Sequence, residues 1–145
     1  MAVDEVIAEI NSYRQGIEEN KEALELKEVS TEGMREQIRQ KWQTIHFYFD
    51  GEELVRVKSY PYDEISNRTE EFYFRDGKLI SAHILDRGMD ESIDAYATAK
   101  SYFFYNDNLI HEENNSGEAE FSIRESDGER LLQEALEYLE ISAGL

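Results

Sequence analysis

At 145 residues, with 40% hydrophobic and 12% aromatic side chains and a single proline, the chain has the composition of one globular domain rather than a disordered segment. Its formal charge of −18 argues against direct contact with nucleic acid or an anionic membrane, both of which need basic patches, and favours a basic protein partner. The absence of cysteine excludes a disulfide, a thiolate nucleophile and Cys-ligated zinc.

The order of elements follows from hydrophobic period and turn chemistry. Val3, Val6, Ile7, Ile10, Tyr13, Ile17 and Leu24 fall on one helical stripe, predicting a helix over about 3–26. Ser30-Thr31-Glu32-Gly33 breaks it. Residues 34–41 fit both helical and alternating spacing, and a strand is expected from about Lys41 onward. Three hairpins follow, over about 42–60, 68–86 and 96–113. The central one is the clearest. In Phe72-Tyr73-Phe74-Arg75-Asp76-Gly77-Lys78-Leu79-Ile80, Asp76 and Gly77 both tolerate positive φ, so a type I′ turn should pair Arg75 with Lys78, Phe74 with Leu79 and Tyr73 with Ile80. Variants of the unit are Phe47-Tyr48-Phe49 answered by Leu54-Val55, and Tyr102-Phe103-Phe104 answered by Leu109-Ile110. Gly51-Glu52 suits a type II′ turn and Asn106-Asp107 a type I′ turn. The longest irregular connection runs over residues 86–95, where Asp86, Asp90, Glu91 and Asp94 make a candidate binding loop. Phe121 and Ile123 permit one more short strand. Ser126-Asp127-Gly128-Glu129 has capping-box spacing and starts a last helix over about 127–141. The fold class is therefore α+β: an antiparallel meander of six or seven strands between an N-terminal and a C-terminal helix, in one domain over 1–145.

Strict alternation places Phe47, Phe49, Leu54, Phe72, Phe74, Leu79, Tyr102, Phe104 and Leu109 on a core face. The opposite face receives Tyr48, Val55, Val57, Tyr73, Ile80, Ala82, Ile84, Phe103, Tyr105 and Ile110. That face is too apolar to be left to water. Either one helix covers each face, or Tyr48, Val57, Tyr73, Ile80, Ile84, Phe103, Tyr105 and Ile110 form a partner surface, for a second copy in a homodimer or for another ligand.

Chemistry is sparse. His46, His83 and His111 share no ligand-like spacing, and alternation puts His83 and His111 on the core side with His46 opposite, so no metal is expected. The acidic residues at 86, 90, 91 and 94 lack the EF-hand pattern. No Gly-rich phosphate loop, Gly-x-Ser-x-Gly elbow or His-Glu-x-x-His occurs, and Ser12, Ser81 and Ser101 have no base or oxyanion donor placed by the sequence. No catalytic residues and no cofactor are expected.

Ser30-Thr31-Glu32-Gly33, Thr69-Glu70-Glu71-Phe72-Tyr73-Phe74-Arg75-Asp76-Gly77-Lys78-Leu79-Ile80 and Lys100-Ser101-Tyr102-Phe103-Phe104-Tyr105-Asn106-Asp107-Asn108-Leu109-Ile110 together resemble a family of uncharacterised bacterial proteins. Its members pair a leading helix with strands of the form Glu-Glu-Tyr-Tyr-Phe-x-Asn-Gly-Lys-Leu-Ile and close with a helix. Many resemble exported proteins or lipoproteins. The resemblance implies no activity and supplies no catalytic residue. This chain lacks a leader and a lipobox cysteine, so the expected compartment is the cytoplasm, or the periplasm or exterior if a leader has been removed. The expected function is a bacterial binding or scaffold domain without catalytic activity, presenting a sheet face or the 86–95 loop to a protein or small ligand. The alternative is an acidic inhibitor, immunity protein, DNA mimic or secretion chaperone acting on a basic protein, with no membrane insertion in either case.

Overall fold

The computed structural model describes residues 2–30, 42–61, 68–86, 98–114 and 125–145. Helix α1 (Val3–Glu19) leads through one 3-10 turn (Lys21–Ala23) into strand β1 (Glu25–Ser30). Three hairpins follow: β2 (Trp42–Asp50) with β3 (Glu53–Pro61), β4 (Arg68–Arg75) with β5 (Lys78–Asp86), and β6 (Thr98–Tyr105) with β7 (Asn108–Asn114). Helix α2 (Glu125–Ala143) closes the chain. The strands lie in sequence order in one seven-stranded antiparallel sheet, an α+β meander between terminal helices.

Two element boundaries differ from the patterning. The leading helix ends at Glu19, not near residue 26, and Glu25–Ser30 pairs with β2 as an edge strand. Glu18 and Glu19 sit at the negative end of the helix dipole, whose last turn holds no basic residue, which disfavours another turn. Asn20 closes the end, its side-chain amide and its backbone N–H both donating to the Gly16 carbonyl, at 2.9 and 3.1 Å. Helix α2 begins at Glu125, so Ser126 lies within its first turn rather than at the cap. Residues 34–41 and the candidate strand at Phe121 and Ile123 fall outside the described residues.

The three reversals adopt the expected conformations. Asp76 and Gly77 have φ of 53° and 76°, Asn106 and Asp107 50° and 63°, and Gly51 65°. Arg75 faces Lys78 and Phe74 faces Leu79. Beyond that the register slips by one: Tyr73 faces Ser81, and Ile80 is an extra residue, a β-bulge. The other hairpins repeat it. Phe49 faces Leu54 but Tyr48 faces Arg56, leaving Val55 over; Phe104 faces Leu109 but Phe103 faces His111, leaving Ile110 over.

Because side chains alternate with period two, one extra residue sends everything after it to the other face. Val57, Ala82 and Ile84 therefore join the core on the α2 side, contrary to strict alternation. They pack with Phe47, Phe49, Leu54, Phe72, Phe74, Leu79, Tyr102, Phe104, Leu131, Ala135 and Tyr138. On the other side α1 crosses the strands. Ile17 packs on Tyr48, Val55 and Tyr73, with Ile80 and Leu24 beside them, and Val6 and Ile10 pack on Phe103, with Ile110 alongside. Tyr13 ties α1 down, its hydroxyl donating to the Phe74 carbonyl next to the central bulge at 2.8 Å. One helix thus covers each face, and of the residues assigned to a partner surface only Tyr105 stays exposed. Each fully buried phenylalanine of the core contributes about 1.5–3 kcal/mol by leaving water.

Two glycines test the backbone account separately from packing, since a Cβ at either Gly16 or Gly77 would meet nothing within 4 Å. Gly77→Ala should destabilise by about 1–2 kcal/mol because φ is left-handed there, whereas Gly16→Ala, inside α1, should stabilise by about 0.5–1 kcal/mol. Urea melts of the two variants give both signs.

Candidate functional site

Directly paired residues of an antiparallel sheet point to the same side, so the register defines rows running across the strands. On the α1 side one row reads Leu26, Tyr48, Arg56, Tyr73, Ser81, Phe103, His111. The helix lies over its apolar members. The next row, away from the reversals, reads Glu28, His46, Lys58, Glu71, His83, Ser101, Glu113. It is polar in every strand. His46, Lys58, Glu71, His83 and Ser101 are partly buried, while Glu28 and Glu113 at the sheet edges are exposed.

Arg56 joins the two rows to the helix. It is 2% exposed, and its Nε donates to Glu18 Oε1 of α1 at 2.9 Å while Nη2 lies 3.4 Å from Glu71 Oε1. Its guanidinium stacks 4.7 Å from the centre of the Tyr48 ring. Tyr73 directs its hydroxyl at the same two carboxylates, 2.6 Å from Glu18 Oε1 and 3.0 Å from Glu71 Oε2. Lys58 reaches Glu71 at 3.3 Å, and Lys21 reaches the outer oxygen of Glu18 at 3.3 Å. The electrostatics follow. Burial alone would lower the basicity of Arg56, yet the Tyr73 hydroxyl and the carboxylates of Glu71 and Glu18 raise it above its ordinary value. Burial pushes Glu18 upward, but the bond from Tyr73 and the charges of Arg56 and Lys21 outweigh it, leaving the carboxyl below its usual range. Burial, with Glu71 beside it, drives the Tyr73 phenol far above its usual range.

Burial disfavours the charged form of two imidazoles on this side. Burial lowers His83 against the pull of Glu71, with Arg14 adding to the lowering, and burial likewise lowers His46 against Glu28. Strict alternation separates the histidines, whereas the bulges at Ile80 and Ile110 bring His83 and His111 to the side that His46 occupies. His83 Nδ1 lies 2.7 Å from Ser101 Oγ, a base beside a serine that the sequence did not place. Ser101 stands mid-strand between β5 and β7, so the neighbouring amides are committed to the ladder and form no oxyanion hole. Among the described residues no group of three or more His, Asp and Glu side chains has the arrangement of a metal site.

Three donors around Tyr73 stand apart. Arg56 Nη1, Arg14 Nη1 and Ser81 Oγ are buried with no hydrogen-bond partner. Leaving a buried donor unpaired costs about 1–3 kcal/mol. Arg56 and Ser81 are the two cross-strand neighbours of Tyr73, and the Arg14 guanidinium lies 5.8 Å from the centre of its ring.

The other side of the sheet carries a structural polar group. Tyr138 of α2, edge-on to Phe72 at 5.1 Å, accepts from or donates to Ser59 at 2.6 Å and donates to Glu134 at 3.4 Å, and burial pushes its phenol well up.

Of the residues singled out from the sequence, Tyr48, Tyr73, Ile80, Phe103 and Ile110 lie beneath α1, and Val57 and Ile84 lie on the α2 side. Asp86 ends β5, while Asp90, Glu91 and Asp94 fall outside the described residues. Arg14, Glu18, Arg56, Lys58 and Glu71 were missed, and Ser101 was weighed only as a nucleophile. The available signal was alternation restarted after each bulge, which puts Arg56 with Lys58 and Ser81 with His83. No family model, curated protein or solved structure matches the chain. No helix among the described residues is long and apolar enough to cross a membrane.

Replacing Arg56 by alanine leaves Glu18 and Glu71 facing each other without their shared cation and should destabilise by about 3 kcal/mol, read from urea melts. The histidines predict a pH dependence. Their folded pKa values lie below the ordinary 6.5, so as pH falls through that value the unfolded chain binds protons first and stability declines. His83→Gln should decline less steeply than the parent between pH 7 and 5; parallel curves would contradict the assignment.

Proposed function

We propose that the chain is a non-catalytic binding domain that offers the polar row on the α1 side of its sheet to a small polar ligand. The observation that carries this reading is the row itself: Glu28, His46, Lys58, Glu71, His83, Ser101 and Glu113 run across all seven strands beside a helix that covers the apolar row. Mixed donors and acceptors fixed on strands are pre-organised, which lowers the ordering cost of binding. The committed amides around Ser101 support recognition rather than acyl transfer.

The formal charge of −18 favours a second reading, an acidic partner for a basic protein. Binding of that kind collapses with salt, whereas a ligand bonded within the row keeps most of its affinity.

A chemical-shift screen of small polar compounds against the full chain should find ligands that perturb Lys58, Glu71, His83 and Ser101 together, with Lys58→Glu weakening them at least tenfold. Hits confined to the helices or to the reversals would contradict the reading. A serine-directed fluorophosphonate should leave Ser101 unlabelled, and labelling would overturn the non-catalytic part.

A further inference from the structure

We infer that Asp50-Gly51, in the first reversal, is a site of spontaneous covalent modification, where the normal peptide bond rearranges to a β-aspartyl linkage. The sequence offers three Asp-Gly pairs, at 50–51, 76–77 and 127–128. The chemistry open to each is the same. The glycine amide nitrogen attacks the side-chain carboxyl carbon of the aspartate; a C–N bond forms, a C–O bond breaks and one water leaves, giving a five-membered succinimide. Water then adds back to one of the two ring carbonyls, which either restores the original peptide or leaves the main chain running through the aspartate side chain. Glycine in second place favours the attack because no Cβ crowds its nitrogen. The fold decides which pair can react.

Ring closure needs a glycine peptide free to turn, and it needs the glycine nitrogen swung round to the side of the aspartate Cβ. Asp127-Gly128 fails the first condition. It lies inside α2, where Gly128 is buried against Leu109, so its peptide cannot turn without unwinding the helix. Asp76-Gly77 fails the second. Asp76 has φ of 53°, and in that left-handed region ψ is about +47°, which places the following nitrogen almost opposite Cβ. Its own N–H is pinned as well, donating to Glu53 Oε1 at 2.8 Å.

Asp50 meets both conditions. It closes β2, paired with Glu53, and is not among the residues of positive φ. An antiparallel strand has ψ of about +135°, from which a smaller rotation brings the nitrogen alongside Cβ. Gly51 is exposed and a Cβ there would meet nothing within 4 Å, so its peptide has room to turn. Among the described residues neither the Asp50 carboxyl nor the Gly51 amide has a hydrogen-bond partner to hold it back. The product puts one extra carbon into the main chain of a two-residue reversal. Glu53, which closes that reversal, also braces Asp76, so the change in the first reversal loosens the second.

The test keeps the full, folded chain at physiological temperature and about pH 5, where part of the carboxyl is protonated and open to attack. A parallel sample is held in urea, and both are followed until the urea sample has converted. Electron-transfer fragmentation of proteolytic peptides locates each β-aspartyl linkage. In the folded chain Asp50-Gly51 should convert at least tenfold faster than either other pair, and in urea the three rates should converge to within about threefold. Asp50→Glu, whose ring would have six members, should abolish the product at 50–51 and leave the other two sites unchanged. Conversion at Asp76-Gly77 equal to that at Asp50-Gly51 in the folded chain would overturn the inference. So would the same ranking in urea as in the folded chain, or an Asp50-Gly51 pair that stays intact in the folded chain while the urea sample converts.

Discussion

One extra residue in the return strand of each hairpin decides which side chains meet which helix. Val55, Ile80 and Ile110 occupy equivalent positions, one residue after the leucine that pairs with the last phenylalanine of the outgoing strand. Without them, Val57, Ala82 and Ile84 would face α1, and Arg56 and Ser81 would enter the apolar layer beneath α2. An uncompensated guanidinium there is far more costly than any gain from the displaced aliphatic groups. The bulges thus reconcile a sequence of aromatic triplets with a sheet carrying a different helix on each side.

The same shift fixes the character of the α1 side. The bulge residues, being apolar, fill the space beneath the helix, and the polar residues that follow line up beyond it. Arg56 then has Glu18, Glu71 and Tyr73 within reach, so the helix is held by charge-assisted bonds at one edge and by the Tyr13 hydroxyl at the other. Nonpolar contacts of Val6, Ile10 and Ile17 lie between. Tyr13 is itself raised to about 12, first by burial and then by Glu53, so the bond to Phe74 persists across ordinary pH.

Much of the architecture was legible in the sequence because turn chemistry is local. Asp76-Gly77, Asn106-Asp107 and Gly51-Glu52 carry their conformations in their own side chains, and the core face through Phe49, Phe74 and Phe104 could be read from alternation before each reversal. The bulges could not. An apolar residue in a strand gives no local sign that it is extra, and the choice depends on which helix covers which face. The errors on the return strands descend from that: His83 and His111 were placed on the wrong side, and Arg56 and Lys58 were passed over. The end of α1 was lost for a similar reason, since the pairing of Glu25–Ser30 with β2 is a tertiary contact that outweighs the helical stripe.

If the bulges place the residues as described, the proposed binding face is a consequence of the fold rather than an addition to it. The chain has no cysteine, so engineered pairs report register without background. The bulged pairing puts Glu71 opposite His83, and an unbroken ladder would put it opposite Ala82. The account predicts that the double variant Glu71→Cys with His83→Cys closes a disulfide under mild oxidation and that Glu71→Cys with Ala82→Cys does not. Ready closure of the second pair and not the first would contradict it.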